Sequence, residues 1–337
     1  MSRFPSAWPA GDGLVDVHTH AIPTRLPDLG ATDAGRWPQV ELVAEDRARI
    51  LLDGRVYREV DERCWSAQRR LRDMDAEGVA AQVVSPVPVT LCHGEPSEGA
   101  ALLARAQNEF LADLVGQAPD RLAALGAVPL QDPERAVAEL AHCVDDLGFL
   151  GVEIGTRVGD MELSDPRLDA FFDAAADRQA MVLVHPVDLT LDPRLAALGV
   201  GFGLGMPTET AVAAAGLITG PVRRRPGVRL CLAHGGGALP AVLPRLDRGE
   251  VLAGREHDVN GTPGERAREL WCDSLTYDGH SLRLAVERFG SDHVLLGTDY
   301  PFAAREAPPG AVLEDVDADL RAAISRGNAC ALVARKV

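Results

Sequence analysis

Histidines and one aspartate stand at the ends of short apolar segments of this sequence. His18 and His20 are two positions apart at the end of the first such segment, so in a strand both imidazoles point to one face. His185, His234 and Asp299 end or follow three later segments. The neutral imidazole is the commonest biological metal ligand, and three imidazoles with a carboxylate form a site that keeps open positions for water or substrate. We therefore expect a metal-dependent reaction at these residues.

The segments that would position these side chains alternate with helical patterns. Apolar, β-branched runs of strand length occur at 14–18, 79–85, 122–128, 150–155, 181–185, 228–234, 270–275 and 293–298. Helix-like periodicity occurs between them, as at 101–114, 133–147, 166–178 and 282–289. Eight alternating strands predict an α/β fold, a distorted (β/α)8 TIM barrel whose strand ends share one rim. A doubly wound open sheet is the main alternative, but no GxGxxG follows the first strand.

The segment 21–65 is too long for a plain strand-to-helix loop, so it should have structure of its own. Two β-rich runs flank the Asp-Gly pair at 53–54, which is a strong hairpin signal. We predict a small β-hairpin insertion after strand 1 that lies as a lid over one end of the barrel. Alternation in its second strand puts Arg58 on an apolar face between two valines. Arg58 either extends to solvent or points into a cavity to hold an anion.

Composition and charge exclude several classes of protein. The 337 residues are 46% hydrophobic and 25% charged, as in an ordinary globular protein, and we expect one barrel domain over 1–337. The net charge of −16 argues against nucleic-acid and membrane-surface partners. The first 13 residues lack the basic start and apolar core of a secretory signal, and the six cysteines lack CxxC spacing. These features predict a cytoplasmic protein with reduced thiols.

The sequence also resembles a known family. It is similar to the amidohydrolase superfamily, and within it to the branch typified by 2-amino-3-carboxymuconate-6-semialdehyde decarboxylase. The resemblance includes VDVHTH at 15–20, AHGGGA at 233–238 and GTDYPF at 297–302. Further matching blocks lie at 53–58, 64–65, 72–75, 78–79, 87–89, 148–149, 154–156, 184–186 and 205–210. The likeness therefore runs almost from end to end of the chain.

The resemblance implies a division of roles among the candidate residues. One divalent ion, usually zinc, would be held by His18, His20, His185 and Asp299. His234 would stand beside the ion as general base and acid, and Asp299 would be the second catalytic residue. The fourth strand offers Glu153 but no lysine that could be carbamylated to bridge two ions, which favours a single ion.

The substrate contacts follow partly from the family and partly from the chain itself. The resemblance implies that Arg58 clamps a substrate carboxylate. It also implies a homodimer in which Arg245 reaches into the neighbouring subunit's site. His93 lies in a loop on the predicted active rim, where we expect it to contact substrate.

The pocket walls depart from the family pattern while the metal and proton-transfer residues match it. The segment 196–205 is mostly glycine and aliphatic where the family has aromatic residues, and Val187 replaces a common tryptophan. The first hypothesis is a decarboxylase acting on a small unsaturated or aromatic carboxylic acid related to aminocarboxymuconate semialdehyde. The second is a metal-dependent hydrolase or cyclase, such as one closing a 3-hydroxyanthranilate-derived ester or amide to a benzoxazole in secondary metabolism. A non-catalytic scaffold would be expected to lack a ligand or the base, and neither is missing.

Overall fold

Thirteen strands occur in the part of the chain that a computed structural model describes, which is residues 9, 12–30, 35–220, 225, 227–255 and 261–334. They are β1 (Leu14–Ala21), β2 (Gln39–Ala44), β3 (Arg47–Leu52), β4 (Arg55–Asp61), β5 (Val79–Pro86), β6 (Leu122–Gly126), β7 (Gly151–Gly155), β8 (Arg157–Val158), β9 (Met161–Glu162), β10 (Met181–His185), β11 (Arg229–Leu232), β12 (Trp271–Asp273) and β13 (Val294–Leu295). Eight of them form one parallel sheet in the order β1-β5-β6-β7-β10-β11-β12-β13.

Helices follow the strands of this sheet. The described α-helices are α1 (Ala67–Glu77), α2 (Ser97–Gly116), α3 (Pro133–Ala141), α4 (Asp169–Asp177), α5 (Pro193–Ala197), α6 (Met206–Thr219), α7 (Leu239–Leu252), α8 (Pro263–Ala267), α9 (Gly279–Phe289), α10 (Ala318–Ala322) and α11 (Asn328–Ala334). Asp132 accepts a hydrogen bond from the Arg135 amide and so caps α3, as its Asp-Pro sequence favours. Within the described ranges, no helix has the length and apolar character that crossing a membrane requires.

The last strand returns to the first, which nearly closes the sheet into a barrel. The Val17 amide donates to the Leu296 carbonyl at 2.8 Å, and the His20 amide donates to the Tyr300 carbonyl at 2.7 Å. The predicted (β/α)8 fold is confirmed, and each of the eight predicted apolar runs overlaps one barrel strand. The strand β13 has two residues and is much shorter than its predicted run at 293–298, although the chain beyond it still bonds to β1, where the Asp299 amide donates to the His18 carbonyl at 2.9 Å.

A β-bulge divides β1 into a first part that packs in the apolar core and a second part that carries polar side chains at the rim. Val15 and Val17 pack among the apolar side chains of the inner cluster, with Leu183 and Leu295. The register with β5 shifts after Asp16, and such a bulge places an extra residue on one strand. Alternation therefore restarts, and the next inward positions carry polar side chains at the rim. The larger apolar cluster lies between the barrel and the surrounding helices.

The insertion after β1 contains the predicted hairpin and one further strand. β2, β3 and β4 form an antiparallel sheet, and Asp53 and Gly54 turn between β3 and β4 with φ of 50° and 69°. The prediction that simple alternation holds through β4 was wrong. A register shift gives Tyr57 an extra position, so Val56 is 52% exposed while Val60 is buried. The insertion nevertheless has its own apolar core, which packs against Val87 just after β5 and against Leu103 of α2.

Candidate metal centre

The carboxyl ends of three barrel strands bring four side chains to one point on the rim. His18 and His20 belong to β1, His185 ends β10, and Asp299 follows β13. The Nε2 atoms of His18 and His20 lie 3.0 Å apart, and Asp299 Oδ1 lies 3.1 Å from Nε2 of His20. One donor atom from each of the four residues lies within 4.8 Å of the other three. Residues up to 281 positions apart thus form one cluster of nitrogen and oxygen donors.

This cluster fits a divalent cation by the way each imidazole is held. Nδ1 of His20 donates to the Pro86 carbonyl at 2.8 Å, and Nδ1 of His185 donates to the Pro186 carbonyl at 2.7 Å. Nε2 of His185 is buried and has no hydrogen-bond partner among the described residues. Metal-binding histidines characteristically anchor one ring nitrogen to the protein and turn the other to the ion. Nε2 of His185 is therefore the nitrogen that we expect to bind the ion, which explains why it has no hydrogen-bond partner among the described residues.

Burial and neighbouring charges set the protonation of these groups. Burial lowers the pKa of His185 and of His20, which favours the neutral imidazole that binds a metal. Burial raises the pKa of Asp299, but the hydrogen bond and charge of His20 outweigh it and hold that pKa below its usual value. Burial lowers the pKa of His18, but the hydrogen bond and charge of Asp273 raise it to about 9. His18 must therefore lose a proton before its Nε2 can bind an ion.

Asp273, which ends β12, is a functional residue that the sequence reasoning missed. Its fully buried carboxylate accepts a hydrogen bond from Nδ1 of His18 at 2.6 Å. It also accepts hydrogen bonds from the amides of His234 and Gly235, both at 2.9 Å, and from the Leu275 amide at 3.0 Å. The carboxylate orients the His18 ring and ties the loop after β11 to the same point. The available signal was an acidic residue inside the apolar run at 270–275.

His234 begins a tight turn that presents its side chain at the same rim. Its φ is 58°, and the three glycines that follow also have positive φ. A Cβ at Gly236 would lie 2.7 Å from the ring of Phe289, and one at Gly237 would lie 2.5 Å from the Pro207 carbonyl. The turn therefore requires glycine at these positions. It sets the ring of His234 4.8 Å from that of His185, beside the four donor atoms.

A cavity of about 510 Å³ opens over the cluster, within the size range of small-molecule sites. Its wall includes His185, His234 and Asp299. Arg58 of β4 also lines the cavity, with its guanidinium carbon 4.3 Å from the centre of the Phe302 ring. One guanidinium nitrogen lies 3.9 Å from Asp188 Oδ2, and the side chain is 32% exposed. Of the two alternatives for Arg58, the structure therefore shows the one in which it points into a cavity.

Two predicted substrate contacts lie outside this cavity wall. His93 is buried, its Nε2 lies 3.2 Å from the Val128 carbonyl, and burial lowers its pKa to about 4. The structure thus packs His93 within the barrel wall and does not bring it to the cavity. Arg245 lies exposed on α7 and does not line the cavity of its own chain.

Glu153 is buried near the cluster, with Oε2 3.9 Å from Nδ1 of His20, and burial raises its pKa to about 8.

Comparisons with known proteins agree with this architecture. A family model described as amidohydrolase (Amidohydro_2) matches residues 15–335. The 2-amino-3-carboxymuconate-6-semialdehyde decarboxylase of Dictyostelium discoideum is 33% identical over 308 residues, covering 90% of this chain and 85% of its own. The gamma-resorcylate decarboxylase of a Rhizobium species is 30% identical, covering 74% of this chain and 81% of its own.

Solved structures share the fold at lower identity. The dihydroxybenzoic acid decarboxylase of a Polaromonas species, solved with manganese and the inhibitor 2-nitroresorcinol, has a TM-score of 0.76 and is 22% identical, covering 97% of this chain and 98% of its own. IDCase of Metarhizium anisopliae has a TM-score of 0.77 and is 23% identical, covering 98% of this chain and 99% of its own. On the family model and the sequence relatives, the chain belongs to the amidohydrolase family, in the branch of the aminocarboxymuconate-semialdehyde decarboxylases.

Proposed function

We propose that this protein is a metal-dependent decarboxylase that removes CO₂ from a small aromatic or unsaturated carboxylic acid similar to 2-amino-3-carboxymuconate-6-semialdehyde. The observation that carries the proposal is the convergence of four metal-ligand side chains with His234 and Arg58 at one cavity. Several relatives that match most of the chain are decarboxylases by name. Because the donors are three imidazole nitrogens and one carboxylate, Zn²⁺ is our first choice of ion.

The chain's own residues divide the work of the reaction. Loss of CO₂ from a carboxylate leaves an electron pair on carbon, and a proton must be delivered there to complete the product. His234 is a titratable group that lines the cavity beside the donor cluster, and we assign it this proton. Arg58, which lines the cavity, binds a substrate carboxylate through its planar fork. His18, His20, His185 and Asp299 would hold the divalent ion, which would supply Lewis-acid catalysis when bound.

Product analysis tests the reaction. Metal-loaded protein is incubated with 2-amino-3-carboxymuconate-6-semialdehyde, 2,6-dihydroxybenzoate and an ester of 3-hydroxyanthranilate, and products are identified by mass spectrometry. Loss of CO₂ from either acid supports the proposal. Loss of water from the ester, with both acids unchanged, would replace it with cyclisation. His234→Asn should abolish CO₂ release, and His280→Asn, which makes the same change at an exposed site, should not.

We also propose that the enzyme is a cytoplasmic homodimer in which Arg245 acts in the partner's site. The exposed position of Arg245 on α7, away from its own cavity, supports this arrangement. The six free cysteines agree with a reducing compartment. Subunits carrying His234→Asn and subunits carrying Arg245→Met are each expected to be inactive. Mixing them should restore activity, because a hybrid dimer contains one site with both groups intact. No restoration would show that Arg245 does not act across an interface.

A further inference from the structure

A second cavity of about 360 Å³ lies on the other side of His234. The two cavities share three wall residues, Phe202, Met206 and His234. Each cavity by itself has a volume typical of a small-molecule site, so together they exceed what one ring with its carboxylate occupies. His234 stands where they meet. A ligand that reacts beside His234 therefore has room to extend in two directions.

The walls of the second cavity are apolar. Pro240 and Ala241 from the start of α7 and Leu284 from α9 contribute aliphatic surface. The polar side chains in the wall use their hydrogens within the protein. Thr276 Oγ1 donates to the Asp278 carbonyl at 3.2 Å, and Tyr277 Oη donates to the Ala304 carbonyl at 2.9 Å. Among the described wall residues, His234 is the one basic or acidic side chain.

The first cavity has the opposite character, because charged side chains line much of it. Arg63 pairs with Asp61 at 2.7 Å, and Arg305 pairs with Glu77 at 2.6 Å. The guanidinium of Arg58 lies farther from its nearest acid, 3.9 Å from Asp188 Oδ2, so its paired N–H groups can bind a ligand. A carboxylate therefore belongs in the first cavity and an uncharged arm in the second.

Two local features open the second cavity to a planar arm. Gly203 lies in its wall, and a Cβ there would meet nothing within 4 Å, so the absent side chain leaves space. The rings of Phe202 and Tyr277 stand at the edge, with centres 6.2 Å apart and planes tilted by 58°. Their exposure, 57% and 54%, leaves ring faces for a ligand.

We propose that the second cavity is a specificity subsite that binds an apolar, aromatic arm of the substrate, so that the preferred acids carry a substituent beyond the reacting ring. The inference deepens the proposed function and rests on it for the identity of the reacting ring. Continuity with the reaction site through His234 argues for a substrate arm as the occupant rather than a second copy of the chain.

The test uses probes that cannot lose CO₂, so binding is measured apart from reaction. Metal-loaded protein is titrated calorimetrically with 2-nitroresorcinol and with its 4-phenyl and 5-phenyl derivatives. At least one phenyl derivative should bind about tenfold more tightly than the parent or better, since burying an apolar group of that size contributes at least the free energy of a tenfold change in affinity. Equal or weaker binding of both derivatives would overturn the proposal.

Two variants that fill the second cavity with a tryptophan side chain test whether the phenyl group binds there. Ala241→Trp on α7 and Leu284→Trp on α9 should each bring the ratio of phenyl to parent affinity close to one. Ala253→Trp, at the end of α7 and outside both cavities, should keep the native ratio. An unchanged ratio in both filling variants would overturn the proposal. So would a shift between monomer and dimer in either of them by analytical ultracentrifugation, which would assign the cavity to a subunit interface.

The outcomes separate this inference from the proposed reaction. A ratio that depends on Ala241, in a protein that releases no CO₂ from any acid, supports the subsite and contradicts the decarboxylase. Release of CO₂ from 2,6-dihydroxybenzoate, with no advantage for either phenyl derivative, supports the decarboxylase and contradicts the subsite.

Discussion

Replacing Asp273 by asparagine should disturb the orientation of the His18 ring and thereby weaken metal binding. The native carboxylate is surrounded by donors: Oδ2 faces Nδ1 of His18 and the His234 amide, and Oδ1 faces the amides of Gly235 and Leu275. Asparagine has the same shape but one of its two polar ends is itself a donor. Whichever way the amide points, two protein donors therefore face an NH₂ group.

The size of the effect follows from those contacts. Each buried donor left without an acceptor costs about 1–3 kcal/mol in the free energy of unfolding. If the NH₂ group faces His18, the imidazole relieves the clash by moving its proton from Nδ1 to Nε2, which removes Nε2 as a ligand. Loss of such an outer carboxylate typically lowers metal affinity about 10- to 100-fold. We expect Asp273→Asn to show that loss together with a lower melting temperature of the metal-free protein.

Chelator competition measures the affinity, and far-UV circular dichroism verifies the fold of the metal-free variant. Asp278→Asn is the matched control, because Asp278 is an exposed helix cap in the same chain segment and asparagine caps equally well. That control should bind the ion as the native protein does. A folded Asp273→Asn protein whose metal affinity stays within about twofold of native would refute the idea that this carboxylate sets the His18 ligand.

Three further changes have expected results. Arg58→Lys should raise KM for the carboxylate substrate by about tenfold, because lysine lacks the planar fork, while Arg55→Lys on the same hairpin should leave steady-state kinetics unchanged. The metal-free protein should lose stability as pH rises from about 6.5 through 9, because the pKa of His18 is raised to about 9. Apparent metal affinity should therefore rise about tenfold per pH unit over that range in chelator titrations. Arg70 is fully buried and donates to the carbonyl oxygens of His20 and Arg63, so Arg70→Met should lower the free energy of unfolding by about 3 kcal/mol or more, and exposed Arg72→Met should not, by chemical denaturation.

Part of the fold followed directly from local patterns. The run at 181–185 matches β10 residue for residue, because four successive apolar residues before His185 suit a strand buried on both faces. The Asp-Gly pair at 53–54 identified the lid hairpin, since few residue pairs adopt positive φ twice in succession. Helix ends were less predictable. The run at 133–147 contains α3 to Ala141 and then a wider π-type turn, which depends on packing rather than on periodicity.

The sequence by itself determined which side chains end the barrel strands, because strand periodicity and chain order are local properties and parallel strands share one rim. Tertiary structure alone decided which further groups contact these side chains. Asp273 and His18 are 255 residues apart, and although an acid inside an apolar run is unusual, no local pattern pairs it with His18 through the 2.6 Å hydrogen bond. The bulge in β1, the position of His93 inside the wall and the second cavity beside His234 likewise arise from packing among several elements. Such contacts depend on the shape of the whole barrel, which no local pattern encodes.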